Sequence, residues 1–267
     1  MSMTKDDLED LQGAPEPGTP RDRRPGDAIV TLSMLQERVS SATEELWHRH
    51  PNGGGWCQNT AEVANTAYIG PNALVSGDAQ VSGNARVSGN ARVSGKARVS
   101  GDAQVSGNAL VSGNARVSGD AHVSGNAHVH GNARVFGNAH VSCNAQVFDD
   151  ARVSGNAQVS GNALVSGNAR VSGDAHVSGN AHVHGGKWAI SPLYVVGTRH
   201  PLNVCAVGYL RIGCIEHRVS WWLKNYAAVG REHGYDDAAI AEYGRHIEMA
   251  GKWMALHAAV DDLDGRA

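Results

Sequence analysis

The sequence predicts a mainly β fold in which many short strands stack into a solenoid. The first observation is a six-residue period: alanine stands at every sixth position from Ala61 to Ala181, and a β-branched aliphatic residue follows two places after each alanine, from Val63 to Val183. The frame runs through twenty-one repeats without an insertion. The second observation is that all six Trp and all six Tyr lie outside residues 73–186. The core of the repeat region must therefore be built from Ala and Val.

Each six-residue repeat predicts one strand and one corner. The typical repeat reads V-S-G-N-A-x, and alternation along A-x-V places Ala and Val on one face of the strand and x on the other. The S-G-N or S-G-D stretch is typical of a tight turn, because Gly and Asn accept the left-handed backbone conformation. A single short strand cannot bury its apolar face, so the repeats have to stack on one another.

The repeat "VSGNAR" (Val81–Arg86) and its sister repeats resemble the hexapeptide-repeat proteins, which fold as a left-handed parallel β-helix. The resemblance implies that three repeats make one triangular coil, so that the chain forms about seven coils with a length of roughly 34 Å at about 4.8 Å per strand. Residues 108–131 return unchanged at 162–185. This copy spans three whole coils, and every copied side chain keeps its face.

The flanking segments resemble parts of hexapeptide-repeat proteins encoded by phages and prophages. The similar segments are "GGGWCQNTAEVANTAYIGPNA" (Gly53–Ala73), "LRIGCIEHRVSWW" (Leu210–Trp222) and "IAEYGRHIEMA" (Ile240–Ala250). The resemblance implies a phage or prophage origin, and it brings no biochemical role with it.

The N-terminal flank divides into a disordered tail over residues 1–26 and a helix with its linker over 27–54. The tail is rich in Pro and charge, which is typical of disorder. Residues 27–49 carry a helical spacing of apolar residues, and Ser33 with Gln36 could cap that helix. The helix either docks on its own chain or associates with another copy. Trp56 is expected to cover the first coil.

The C-terminal flank predicts a small α+β cap over residues 187–267, beyond a solenoid over 55–186. "LYVVG" and "CAVGYLRIGC" indicate short strands. Two helices follow, from Ser220 to about Arg231 and from about Asp237 to His257. The second helix should pack by one apolar stripe, formed by Ile240, Tyr243, Ile247, Ala250 and Met254.

Composition and cysteine spacing restrict compartment and cofactors. The N-terminus has no signal peptide and the chain has no apolar run of eighteen residues, so we expect a protein without membrane insertion, in the cytoplasm of a bacterial host or on a virion. The four cysteines show no C-x-x-C spacing. Cys205, Cys214 and His217 could meet at a metal, but buried structural thiols are the preferred interpretation. We therefore predict no metal and no cofactor.

The outward positions of one face form a row of arginines one coil apart: Arg98, Arg116, Arg134, Arg152 and Arg170. Such a row suits an extended polyanion such as nucleic acid. The alternative is that copied coils carried their Arg along. The coil 133–150 departs most from its neighbours, since Phe136 and Phe148 replace corner Ser residues. Exposed aromatics favour a contact with a partner or a second copy, and drift at tolerant corners competes with this interpretation.

Histidines raise two further possibilities. "HVH" occurs at 128–130 and 182–184, and such pairs can hold a metal, but no third ligand stands at a fixed spacing. The best-known relatives of the resembling family are trimeric, acyl-CoA-dependent acyltransferases, for which His122, His140 and His176 on one face are weak catalytic candidates. The preferred hypothesis is a non-catalytic structural or binding solenoid, a rigid spacer or interaction surface that forms a homo-oligomer, with a trimer favoured. A hexapeptide-repeat acyltransferase is the alternative.

Overall fold

The computed structural model describes residues 30–257. The tail predicted over residues 1–26 lies outside the described residues, as does the end of the predicted cap from residue 258 on. The described chain is a parallel β-solenoid of about seven turns, with a helix before it and a small antiparallel sheet with two helices after it. This confirms the predicted fold class. The left-handed winding implied by the resemblance stays a prediction.

The solenoid strands follow the six-residue period of the sequence. Each of the twenty-one repeats contributes one two-residue strand, made of the outward residue x and the inward aliphatic residue. The strands up to the end of the solenoid are β1 (Trp47–Arg49), β2 (Trp56–Gln58), β3 (Glu62–Val63), β4 (Tyr68–Ile69), β5 (Leu74–Val75), β6 (Gln80–Val81), β7 (Arg86–Val87), β8 (Arg92–Val93), β9 (Arg98–Val99), β10 (Gln104–Val105), β11 (Leu110–Val111), β12 (Arg116–Val117), β13 (His122–Val123), β14 (His128–Val129), β15 (Arg134–Val135), β16 (His140–Val141), β17 (Gln146–Val147), β18 (Arg152–Val153), β19 (Gln158–Val159), β20 (Leu164–Val165), β21 (Arg170–Val171), β22 (His176–Val177), β23 (His182–Val183) and β24 (Lys187–Trp188).

Three sheets form the sides of the solenoid. The nine-stranded sheet from β1 through β2 and β5 to β23 is called the leucine face, the seven-stranded sheet from β4 to β22 the histidine face, and the eight-stranded sheet from β3 to β24 the arginine face. Parallel neighbours within the repeats pair residues eighteen positions apart, as in Val81 with Val99 and Val117 with Val135. This register confirms that one coil takes three repeats.

The interior of the solenoid is a stack of alanine and valine. From Ala67 to Val183 the inward Ala, Ile and Val side chains of the repeats are at most 3% exposed. Asn side chains at the corners form ladders parallel to the axis; Asn108 Nδ2 donates to Asn126 Oδ1 at 3.0 Å, and Asn126 Nδ2 donates to Asn144 Oδ1 at 3.0 Å. Each coil is therefore held to the next by its core, its backbone and its corners.

The N-terminal end of the solenoid is covered by a small cluster around Trp56. The helix α1 (Leu32–Arg38) contributes Leu35, and strand β1 contributes Trp47. The indole Nε1 of Trp56 donates to the carbonyl of Val30 at 2.8 Å, and the guanidinium of Arg49 lies 4.3 Å from the Trp56 ring centroid. Trp56 thus covers the first coil, as its position in the sequence predicted.

The N-terminal helix is shorter than the spacing over residues 27–49 predicted. It ends at Arg38, and the chain then turns into β1, which pairs antiparallel with β2. The Thr31 side chain caps the helix, not Ser33, while Gln36 Nε2 donates to the carbonyl of Ala42 at 3.0 Å. Strand pairing is the physical reason for the difference, because β1 satisfies the backbone groups at the open edge of β2.

The C-terminal cap begins with a four-stranded antiparallel meander. Its strands are β25 (Tyr194–Val196), β26 (Pro201–Ala206), β27 (Tyr209–Ile212) and β28 (Ile215–Arg218). The predicted hairpin is present, and the sequence did not indicate β28 as a strand. The sheet lies on the last coil, where Asn203 Nδ2 donates to the carbonyl of His182 at 2.6 Å.

Two helices cover the outer side of this sheet, α2 (Val219–Glu232) and α3 (Asp237–His257). All five residues of the predicted α3 stripe are buried. Asp236 caps α3, since its Oδ1 accepts from the backbone N–H of Ala239 at 2.8 Å. Among the described residues, no helix is long and apolar enough to cross a membrane.

Candidate functional site

The arginine face carries the predicted row of cations. Arg98, Arg116, Arg134, Arg152 and Arg170 stand in exact register on adjacent parallel strands, and all five side chains are exposed. Lys187 pairs with Arg170 and extends the row by one coil; the sequence missed it because the last step is one residue shorter than the period. At the other end Gln80 Nε2 donates to Glu62 Oε2 at 2.9 Å. The face is therefore acidic at its first coil and basic from Arg98 on.

A shallow depression runs beside the middle of this row. Its volume is about 200 Å³. An amide ladder forms its rim, in which Asn114 Nδ2 donates to Asn132 Oδ1 at 3.1 Å and Asn132 Nδ2 donates to Asp150 Oδ1 at 3.1 Å. The remaining lining residues are Arg116, Arg134 and Arg152. The guanidinium groups and amides offer donors to an extended anion, while the carboxylate of Asp150 offsets part of the charge.

The histidine face brings together two of the three weak catalytic candidates. The rings of His122 and His140 stack with centroids 4.7 Å apart. His176 lies two strands further along, because Gln158 on β19 stands between it and His140. Two strand spacings are about 9.6 Å. The three imidazoles therefore do not converge on one point, and the acyltransferase alternative gains no site from them.

The two phenylalanines of coil 133–150 lie on different corners of the solenoid. Phe136 follows the arginine face and is 41% exposed. Phe148 follows the leucine face and stacks on His130 with ring centroids 5.1 Å apart and an interplanar angle of 7°. The pair therefore does not form one aromatic patch, and a role in partner binding stays a prediction for each residue separately.

The cysteines do not gather where the sequence suggested a metal could bind. Cys205 is buried, whereas Cys214 is exposed in the turn between β27 and β28. His217 stacks on Trp221 with centroids 3.7 Å apart. Cys57 and Cys205 are buried free thiols, as the structural interpretation predicted, while Cys143 and Cys214 are exposed. Burial raises the pKa of Cys57 to about 12 and, with the Glu216 charge added, that of Cys205 also to about 12.

A different cluster forms where the solenoid meets the cap. The side chains of His184, Cys205 and Glu216 place one ligand atom each within 4.8 Å of one another, and theirs is the one such group of three in the described part of the chain. Sequence spacing gave no signal for it, because the three residues lie on the last coil, on β26 and on β28. Only the docking of the cap brings them together.

A parallel solenoid with closed ends and regular outward faces defines a structural protein. The family model of bactofilin, described as polymer-forming cytoskeletal, matches residues 67–174, which is less than half of the chain. A second model, the YdcK beta solenoid repeat, matches residues 169–185. The comparison with curated proteins gave no match. Both similarities fall within the repeats, and the hexapeptide-repeat and phage resemblance stays a prediction.

Proposed function

We propose that the protein is a non-catalytic structural solenoid whose copies associate side by side. The observation that carries this proposal is the match of a polymer-forming family over residues 67–174. These residues are the body of the solenoid and contain neither end cluster. Because the matched part is the part with regular outward faces, the faces are the surfaces on which we expect copies to meet.

Closed ends support side-by-side association over end-to-end growth. At the N-terminal end the edge of β4 is covered, since Ile69 N–H donates to the Asn52 carbonyl and Gly55 N–H donates to the Ile69 carbonyl, both near 3 Å. At the C-terminal end His184 N–H donates to the Cys205 carbonyl at 2.9 Å. A second solenoid cannot continue these strands without displacing a cap.

The leucine face is the surface we propose for self-association. Along its repeats the outward residues between the two ends are Arg92, Leu110, His128, Gln146 and Leu164, and Arg92 is the one fixed charge among them. Leu110 and Leu164 are partly exposed. The arginine face, by contrast, would repel a copy of itself, because like charges one strand apart are unfavourable.

Sedimentation velocity of the full chain over a range of concentrations tests this proposal. We expect the wild type to form oligomers or longer assemblies, and Leu110→Glu with Leu164→Glu to shift it to monomers, since each change places an anion in an apolar contact. The matched control is Gln104→Glu with Gln158→Glu. These residues occupy the equivalent outward positions of the histidine face, the same 54 residues apart. A wild type that stays monomeric would contradict self-association, and equal assembly of both double variants would contradict the leucine face.

A homotrimer is one form that such association could take, and a rigid spacer between partners is one use of it. The phage or prophage origin, with action in a bacterial cytoplasm or on a virion, belongs to the same hypothesis and is supported by the resemblance of the flanking sequences.

The register of the arginine face favours a second function, the binding of an extended polyanion. Five arginines and Lys187 stand on consecutive strands, and the spacing of about 4.8 Å between strands places a cation at short, regular steps. A flexible anionic chain can follow such a row and release its counterions.

A further inference from the structure

The junction of solenoid and cap contains three side chains of the types that bind borderline metals. His184 supplies an imidazole nitrogen, Cys205 a sulfur and Glu216 carboxylate oxygens, and the ligand atoms lie within 4.8 Å of one another. His184 Nε2 and Glu216 Oε1 are 2.8 Å apart. In a tetrahedral zinc site with bonds of about 2.0–2.3 Å, neighbouring ligand atoms are separated by roughly 3–4 Å. Small side-chain rotations are therefore sufficient to surround an ion.

We propose that His184, Cys205 and Glu216 form a Zn²⁺ site that joins the last coil to the cap. Imidazole, thiolate and carboxylate together suit zinc, while an all-oxygen set would suit calcium or magnesium. With a thiolate and a carboxylate the two ligand charges neutralise the ion, and water takes the fourth position. The thiol proton of Cys205 leaves to solvent when the sulfur–zinc bond forms.

Burial of the three side chains fits entry of an ion from one side. Cys205 is completely buried, so its sulfur lies at the bottom of the site. The side chains of His184 and Glu216 are 40% and 30% exposed, so their ligand atoms border solvent. An ion can therefore reach the sulfur between them, and a water molecule can occupy the open position.

Backbone contacts hold the three residues in place. His184 N–H donates to the Cys205 carbonyl at 2.9 Å, which fixes the last coil to β26. Cys205 is the extra residue of an irregularity in the pairing of β26 with β27, between Val204 and Ala206. Glu216 is aligned across the sheet with Arg211. Bulges of this kind re-aim a side chain, and the ligands are therefore positioned before any ion arrives.

The copied repeat provides a built-in comparison. His130 is the equivalent of His184 in the earlier copy, 54 residues before it. Its ring stacks on Phe148, and no cap lies over that coil. The site therefore depends on the cap and not on the repeat sequence, which makes His130→Ala a matched control.

Titration of the full chain with Co²⁺, followed by displacement with Zn²⁺, tests the site. The parent variant carries Cys143→Gly and Cys214→Ser, so that the two exposed thiols cannot bind the probe. We expect a sulfur-to-cobalt absorption band that saturates at one equivalent and disappears when Zn²⁺ is added. Zn²⁺ should also raise the midpoint of thermal unfolding, because it binds only the folded junction.

Substitutions at the three ligands decide between this site and metal bound elsewhere. Cys205→Ser should abolish the band, and His184→Ala and Glu216→Gln should each weaken Co²⁺ binding by more than about tenfold. His130→Ala should change nothing. Glu216→Gln keeps the side-chain shape at a partly exposed position, so it remains informative if Cys205→Ser does not fold by circular dichroism. A parent variant without a sulfur-to-cobalt band, or a band that His184→Ala and Glu216→Gln leave unchanged, would overturn the proposal.

Discussion

Two residues of coil 133–150 adopt a backbone conformation that other coils give to glycine. Cys143 has φ of 60° and Asp149 has φ of 57°, and they are the non-glycine residues with positive φ in the described chain. A side chain in this region costs about 1–2 kcal/mol. Asp149 recovers part of the cost, because Asp tolerates the conformation and its Oδ2 accepts from Gly167 N–H at 3.2 Å.

Cys143→Gly should therefore stabilise the protein. We expect the free energy of unfolding to rise by about 0.5–1 kcal/mol, since the strain relieved exceeds the entropy that glycine adds to the unfolded chain. Asp149→Gly should give a smaller gain or none, because it removes the bond to Gly167. Urea unfolding followed by circular dichroism measures both. A loss of stability on Cys143→Gly would contradict the assignment of strain.

At this scale the sequence predicts inward and outward positions well, because the period fixes them. It predicts cap residues less well: Thr31 and not Ser33 caps α1. The reason is that a cap depends on where the helix begins, and that point is set by packing of the short helix against the solenoid end.

The strands of the arginine face place like charges one strand apart. Arg116, Arg134 and Arg152 pair directly, and adjacent like charges are mildly unfavourable. The row therefore adds little to the stability of the sheet, and a polyanion would relieve the repulsion.

Arg134→Ala should weaken the binding of heparin or single-stranded DNA and change its salt dependence. If the row binds the backbone of the polyanion, removing one contact makes the slope of log K against log salt shallower by about one unit. Arg92→Ala on the leucine face is the matched control, since it removes an exposed arginine of the same kind outside the row. Fluorescence anisotropy at several salt concentrations measures the slope. Identical slopes for the wild type and Arg134→Ala would count against a polyanion site.

The elements show why repeats are easier to predict than flanks. Eighteen-residue pairing followed from the period and holds from β3 to β23. The helix predicted over residues 27–49 ended at Arg38, although Leu35 and Ala42 are buried as their spacing suggested. Both residues reach the Trp56 cluster along a path that turns after Arg38. Apolar spacing alone does not separate such a path from a helix, since an exposed strand edge competes for the same segment.

The whole molecule is a rigid body between two closed ends. Its interior repeats Ala and Val, its corners repeat Asn ladders, and its outward faces differ in charge. The sequence predicted these faces because each repeat states its own outward residue. It did not predict the cluster of His184, Cys205 and Glu216, since the position of the cap on the last coil follows from tertiary packing of residues far apart in the chain.

Electron microscopy of the assembled full chain is the measurement that tests lateral association most directly. We predict class averages in which rods lie side by side, each about one solenoid long, with an axial extent that does not grow as copies are added. This follows because both ends are occupied by their own caps, while the leucine face stays available. Filaments one solenoid wide that lengthen along the strand-stacking axis would contradict the account.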